Sequence, residues 1–314
     1  MNIIIGAGWY GLYLASLFQA QNIDYVVFEK EKDILLGSSG FNQNRLHLGF
    51  HYPRSFRTRC NARLGFHRFK QQFPTLSVAV DNNIYAIHKD SIMDFETYKA
   101  VFTHEKYEFD VLPTLSEAFE GNIRTYEEQV IPDRVKNYFQ GKKLNIEFEA
   151  ECILESDNLY VNGTEKNFTA LYDCTWGRLQ PQPGYYNELF TTVLVELQSE
   201  IDFGALTIMD GPFYSIYPLE KNNNLYTLSS VKHGITNGSV QKSAELTWLQ
   251  FQSDFPEFAA SFSPKTYFTS HKLKPHDNSA RRTMEIISRD KIFHILSGKI
   301  DTVFELESLI IGGV

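Results

Sequence analysis

The first eleven residues narrow the choice of fold more than any other part of this chain. Asn2 to Ile5 reads as a short buried strand, Gly6-Ala7-Gly8-Trp9-Tyr10-Gly11 as a turn, and Leu12 to Ala20 as a helix with apolar residues on most faces. A second strand, Asp24 to Glu29, then ends on an acidic residue. A bare G-x-G-x-x-G match is weak; strand, glycine turn, helix and a following acid together give it a mechanism. Gly6 permits the tight turn, Gly8 lets the backbone approach a pyrophosphate, and Gly11 lets the helix pack closely on the strand. The helix N-terminus attracts the phosphate charge. Glu29 is placed to accept hydrogen bonds from adenosine ribose hydroxyls and disfavours the extra phosphate of NADP. Trp9, Tyr10 and Lys30 flank these positions and join them as candidate cofactor-binding residues. The competing reading is an incidental glycine turn before a core helix.

The rest of the composition bounds the partners. With 314 residues the chain can bury two cores. A net charge of -8 argues against nucleic acid and against an anionic membrane surface, both of which need clustered positive charge. Cys60, Cys152 and Cys174 are odd in number and far apart, so no disulfide framework or zinc spacing is implied. Ile3 to Phe18 resembles a signal-peptide core, but it lacks a basic leader and is broken by Gly6, Gly8 and Gly11. No other run is long and apolar enough to span a bilayer. A soluble cytoplasmic protein is the expectation.

Further along, Ser38 to Pro53 reads as a loop with functional potential, and Ser55 as the N-cap of an arginine-rich helix to about Phe73. A strand at Asn83 to His88 and helices at Asp94 to His104 and Pro132 to Phe139 follow. Short strands are expected at Leu144 to Ala150, Glu151 to Glu155, Asn158 to Val161 and Leu171 to Thr175. Thr191 to Ser230 reads as strand-rich, including Tyr214 to Pro218 and Leu225 to Ser230. Ala244 to Phe255 reads as a helix, Phe293 to Ser297 as the last strand and Thr302 to Ile310 as the last helix. No repeat or low-complexity linker separates the parts, so the two domains are expected to interweave.

Three segments carry a family resemblance. Gly37-Ser38-Ser39-Gly40 follows the acidic residue closely and leads into Asn42-Gln43-Asn44-Arg45-Leu46-His47-Leu48-Gly49-Phe50-His51-Tyr52-Pro53. Asp173-Cys174-Thr175-Trp176-Gly177 and Ser297-Gly298-Lys299-Ile300-Asp301-Thr302 come later. With these the chain resembles the D-amino-acid-oxidase-like flavoproteins, which include 2-hydroxyglutarate dehydrogenases and glycine oxidases. The doubled glycine of that family's serine-rich turn is absent at Gly37-Ser38.

The resemblance implies an α/β protein with a Rossmann-type FAD-binding domain and an interleaved antiparallel-sheet substrate domain. The FAD domain would comprise residues 1–75, 122–185 and 272–314, and the substrate domain 76–121 and 186–271. It implies that Ser38 and Ser39 touch the pyrophosphate and that Arg45, Leu46 and His47 run beside the flavin; non-covalent contact is expected at His47, the alternative being the covalent histidine link that some relatives carry in this neighbourhood. Cys152, Thr175 and Gly177 would lie where the chain returns to the cofactor. Gly298, Lys299, Ile300, Asp301 and Thr302 would form a turn beneath the flavin, with Asp301 capping the last helix.

His51, Tyr52 and Arg281 are the catalytic candidates. His51 reads either as a proton acceptor or as a hydrogen-bonded loop histidine. Arg281, paired with Arg282, stands where relatives hold a substrate carboxylate. His47 and His51 have the four-residue spacing of a metal pair on a helix, but Gly49 and Pro53 oppose a helix there and no metal site is expected. Tyr214, Tyr217, Lys232 and His233 are weaker substrate-facing candidates, since strand aromatics more often pack in cores. Arg57, Arg59, Arg63 and Arg68 read mainly as a solvated charge run. The implied activity is hydride transfer from a carbon bearing an amine or hydroxyl to FAD in a small-molecule substrate. The alternative is a flavin-dependent sugar-nucleotide mutase with no net redox change.

Overall fold

The computed structural model describes residues 1–198, 203–220, 224–236, 238–276 and 284–311. Two large sheets organise them. The first has six strands in the order Glu285–Arg289, Ile292–Leu296, Leu171–Asp173, Asn2–Ile5, Tyr25–Phe28 and Ile146–Glu147. All neighbours are parallel except the first pair, and Asn2–Ile5 lies in the middle. A fully covered parallel strand should be apolar throughout; Ile3, Ile4 and Ile5 are buried accordingly.

The helix Trp9–Ala20 covers one face of this sheet, where Trp9, Leu12, Tyr13, Phe18 and Val27 pack with Phe69 and Phe73 from the helix Phe56–Gln72. The meander Cys152–Glu155, Asn158–Val161 and Thr164–Lys166 lies over the other, joining Leu154, Leu159 and Val161 to Ile3, Ile5 and Phe28.

The second sheet has eight strands, ordered Phe262–Pro275, Tyr185–Leu197, Leu225–Ser230, Tyr214–Glu220, Ala205–Met209, Asn83–His88, Phe119–Thr125 and Phe109–Leu112. Only Ala205–Met209 with Asn83–His88 is parallel. The helix Val240–Asp254 packs Phe251 against Tyr214 with ring centroids 5.3 Å apart. Arg45–Leu46, Glu128–Val130 and Ser77–Ala79 pair as a third, small sheet.

Several boundaries differ from the sequence reading. The first helix starts at Trp9, because Gly8 is its N-cap. The strand expected over Leu144 to Ala150 shrinks to Ile146–Glu147, since Lys143 and Glu149 adopt φ of 52° and 54° and break the extended run on both sides. The long strand Phe262–Pro275 escapes a hydropathy pattern. It is a polar edge strand, where Pro264 removes no ladder bond that the sheet needs. The expected last helix is a 3-10 turn, Val303–Glu307, followed by one α-turn, Ser308–Ile311. Thr302, not Asp301, holds its N-cap position, with no side-chain cap bond. A five-residue 3-10 turn also lacks the aligned peptide dipoles of a long helix, which removes that source of positive potential.

Candidate active site

A cavity of about 1190 Å³ runs from the glycine turn to the inner face of the eight-stranded sheet. That exceeds the roughly 300–1,000 Å³ usual for a site holding one small ligand. Gly6, Gly8, Glu29 and Lys30 line one end and Ser297 to Asp301 the middle. Thr207, Ser215, Ser229 and Thr269 line the sheet side.

At the glycine turn, the glycine spacing has a steric cause. Gly6 has φ 98°, in the left-handed region. A Cβ on Gly11 would lie 1.9 Å from the carbonyl oxygen of Gly6, so helix and turn can meet only over a bare Cα. A Cβ on Gly8 would stand 3.1 Å from Ser39 Oγ, which also accepts the Trp9 N–H at 3.0 Å. The Glu29 carboxylate is fixed by the N–H groups of Ala7 at 2.6 Å and Glu31 at 2.9 Å. Ser38 Oγ donates to the carbonyl of His271 at 3.2 Å, tying the serine turn to the substrate-side sheet.

Trp9 and Tyr10 serve the site indirectly. The Trp9 indole is buried among Phe69, Phe73 and Phe139 and donates from Nε1 to the Ile300 carbonyl at 3.3 Å. The Tyr10 hydroxyl donates to the Lys299 carbonyl at 2.6 Å and touches Ser297 Oγ at 2.8 Å and Thr302 Oγ1 at 2.7 Å. Burial raises its pKa far above that of a free phenol, so it stays a donor. The first helix thus clamps the C-terminal turn. Gly65 allows the same turn to dock on the helix Phe56–Gln72, since a Cβ there would fall 2.3 Å from the Asp301 carbonyl oxygen. The corresponding space at Gly298 is filled by the Trp176 ring, 2.5 Å from an ideal Cβ.

Arg45, His47, His51 and Tyr52 all line the cavity; the Leu46 side chain points away into the first sheet's core and is fully buried. Alternation along the strand produces this split. The His47 and His51 rings lie 5.1 Å apart, brought together by a loop rather than by a helix face. Lys299 places its ammonium 3.6 Å from the centre of the Tyr52 ring. Gly11, Gly177 and Thr302 do not line the cavity and support it instead, while Cys152 and Thr175 do line it. Burial pushes the Cys152 thiol up to about 12. Arg281 and Arg282 lie outside the described residues. Lys232 is exposed, and the Tyr214 hydroxyl is spent on Asp254 at 2.9 Å.

The burial of three charged groups was not legible in the sequence. Glu127, 1% exposed, accepts from Leu48 N–H and from the Tyr85 hydroxyl, both at 2.7 Å, and from Asn83 Nδ2 at 3.2 Å. Burial works to raise its pKa, but facing His47, with the Tyr85 and Leu48 bonds, outweighs that and holds the carboxyl below its ordinary value. Asp301 is 3% exposed with Oδ2 unpartnered among the described residues; desolvation raises its pKa, against the opposing pull of Lys299 and His47. Arg59 is buried rather than solvated. It pairs with Glu105 and donates to the carbonyls of Tyr52, at 3.1 Å, and Pro53, so it braces the loop behind the site.

These residues fit FAD. The glycine turn and Glu29 suit an adenosine diphosphate, the cavity continues past the serine turn, and among the described residues buried polar atoms on Arg45 and Asp301 have no hydrogen-bond partner along its wall.

Comparison with known proteins agrees. Residues 4–74 match the model of an NAD(P)-binding Rossmann-like domain. An FAD-dependent monooxygenase, FPY4, from Fusarium mangiferae is 31% identical over 96% of this chain and 87% of its own length. Glycine oxidase from Bacillus cereus superposes with a TM-score of 0.73 at 14% identity, over 100% of this chain and 95% of that one. L-amino acid deaminase from Proteus vulgaris superposes at 0.72 with 12% identity, over 99% and 89%. On its curated relative the chain belongs to the FAD-dependent monooxygenase family of FPY4, and its fold is that of glycine oxidase and L-amino acid deaminase.

Proposed function

We propose that this protein oxidises a small amino or hydroxy compound at a C–N or C–O centre, with the substrate lying between the flavin and the inner face of the eight-stranded sheet. The observation that carries this is the continuity of one cavity from the dinucleotide cradle to Thr207, Ser215 and Ser229 on that sheet. When bound, FAD supplies the two-electron acceptor. The chain's own residues do the rest. The glycine turn, Glu29 and Ser39 hold the cofactor's phosphate and ribose end, and Lys299 puts positive charge near the ring. Phe190, Phe213 and Phe268 exclude water beside the reacting carbon. His51 is placed to take a proton from the substrate's amine or hydroxyl.

In this reading the cofactor domain comprises residues 1–75, 122–185 and 272–314 and the substrate domain 76–121 and 186–271, with the strands Phe119–Thr125, Tyr185–Leu197 and Phe262–Pro275 crossing those limits. The non-redox mutase alternative has no counterpart among these relatives, which are named as a monooxygenase, an oxidase and a deaminase. A monooxygenase reaction is the second reading, on the strength of FPY4.

Anaerobic mixing with a panel of amines, amino acids and hydroxy acids separates the two. Bleaching of the flavin band by substrate alone supports direct oxidation. Bleaching only with NADH or NADPH, together with incorporation of oxygen from labelled O₂ in air, assigns the monooxygenase reaction instead.

A further inference from the structure

We propose that the substrate is a neutral polyhydroxylated compound, read by a row of hydroxyl side chains, Thr207, Ser215, Ser229 and Thr192, on four neighbouring strands of the eight-stranded sheet. This rests on the reading that the sheet end of the cavity holds the substrate, and it narrows that reading to oxidation at a C–O centre. The strand register lines the four residues up. Thr207 pairs with Ser215, and Ser215 with Ser229. Val193 pairs with Leu228, which puts Thr192 one residue on, beside Ser229. Phe268 follows as the cross-strand partner of Thr192, and all five residues line the cavity.

Packing alone does not account for this row. Side chains alternate between the two faces of a sheet. The chain neighbours of these four, Leu206, Ile216, Leu228 and Val193, are buried in one apolar cluster with Phe251. A cavity face that served only to pack would be apolar too, since a buried hydroxyl without a partner costs stability. Thr192 is 5% exposed, and its hydroxyl bonds no other described residue. Thr207 Oγ1 accepts from Arg45 Nη1 at 2.6 Å, so its own O–H is left to donate. Ser215 Oγ accepts from Arg45 Nη2 and donates to Gln43 Oε1 at 3.2 Å, while Ser229 Oγ reaches it only at 3.4 Å. A hydroxyl that accepts from a guanidinium is polarised into a better donor. The row therefore presents hydroxyl groups to a ligand that carries oxygen acceptors.

The surrounding charges separate the ligand classes. A carboxylate is the group that holds an ammonium, and the described acids lining the cavity stand away from this sheet. Glu29, Glu31 and Glu151 lie at the adenosine end, Asp301 on the C-terminal turn, and Glu285 on the first sheet, bonded to the Tyr185 hydroxyl. The cations are engaged: Arg45 with Thr207 and Ser215, Lys274 with Glu188 at 2.5 Å, and Lys272 over the Phe190 ring at 3.1 Å. What remains is neutral hydroxyls able to donate and to accept, spaced about 4.5–5.5 Å apart by the strands. Alternate oxygens on a six-membered polyol ring have a comparable spacing. Phe190, Phe213 and Phe268 offer flat apolar surfaces to its C–H bonds.

The polyol probes are myo-inositol and sorbitol; cyclohexanol, cyclohexylamine and cyclohexanecarboxylate are the comparison compounds. Each is titrated under nitrogen into the flavin-loaded protein while the flavin difference spectrum is followed, with bleaching scored separately. Wild type should bind the better polyol at least about tenfold more tightly than any comparison compound, as two or more added hydrogen bonds require. Thr192→Val keeps the side-chain shape and removes a hydroxyl that holds no described residue. It and Ser229→Ala should each weaken polyol binding about 3–10-fold and leave cyclohexanol unchanged. Should Thr192→Val fail to fold, Ser229→Ala decides alone. The proposal is overturned if the amine or the carboxylate binds more tightly than both polyols, or if the folded variants retain the wild-type preference. Bleaching of the flavin by an amine, with no measurable polyol binding, overturns it and leaves the oxidation reading in place. Polyol binding that depends on Thr192 and Ser229, in a protein whose flavin no hydroxy compound bleaches, upholds the row and sinks the oxidation reading instead.

Discussion

The carboxylate of Glu127 lies 3.8 Å from Nδ1 of His47 while gripping the next residue's backbone N–H at 2.7 Å, so one buried acid sets both the ring and the chain beside the cavity. Breaking such a buried arrangement by removing one partner costs about 3–5 kcal/mol. Glu127→Ala should therefore destabilise by that order in urea denaturation, and Glu127→Gln by less, since an amide oxygen can still accept. The folded-state pKa of Glu127 is depressed, so its contribution is present above the unfolded value and is lost as pH falls through the folded value. Wild type should lose stability over that acidic range more steeply than Glu127→Gln; parallel curves would remove Glu127 as the cause.

Asp301 has the opposite sign. Its pKa is raised by desolvation, so between the unfolded and folded values the native state binds more protons and stability falls as pH rises. Asp301→Asn removes a buried charge whose Oδ2 has no hydrogen-bond partner among the described residues. Relative to wild type, the variant should be more stable at pH 8 than it is at pH 4, by about 1–3 kcal/mol. Thermal unfolding of the flavin-free protein at the two pH values measures the difference, and an unchanged or reversed difference would contradict the assignment.

The glycine turn makes a steric prediction. Gly11→Ala puts a methyl group 1.9 Å from a backbone oxygen, which no side-chain rotation relieves. It should shift the first helix off the first strand, lower stability by about 1–3 kcal/mol and reduce flavin content. Gly8→Val should spare stability more and abolish flavin uptake, because its side chain occupies the approach to the pyrophosphate. Yellow, fully loaded Gly8→Val protein would disprove the cradle.

Lys299 lies over Tyr52, and both line the cavity. If its ammonium serves the flavin, Lys299→Met should weaken the sulfite adduct of the oxidised flavin and lower the flavin midpoint potential. Tyr52→Leu should produce a smaller change in the same direction through loss of the cation–π contact, worth about 0.5–2 kcal/mol. Unchanged sulfite affinity in Lys299→Met would confine the residue to a structural role. Gly298→Val is a poor probe of the same turn, since its first effect is a collision with Trp176.

Local chemistry determined the dinucleotide unit. The three isoleucines, the glycine spacing and Glu29 are consecutive instructions, each needing only its neighbours, and Ser55 and Asp94 likewise announced the helices that they cap. The edge strand Phe262–Pro275 was illegible, because its pairing with Tyr185–Leu197 is made by backbone groups and leaves little pattern in its polar side chains. The site divides the same way. Gly8, Ser39 and His47 could be read from spacing and resemblance. Glu127 could not, because one glutamate among 38 acidic residues carries no local mark of burial. Its role arises only when strands distant in sequence bring Tyr85, Asn83, Leu48 and His47 around it. The charge of Arg45 was visible in the sequence; that it is buried against neutral partners was decided by the tertiary structure, because burial is a property of what the rest of the chain packs over it.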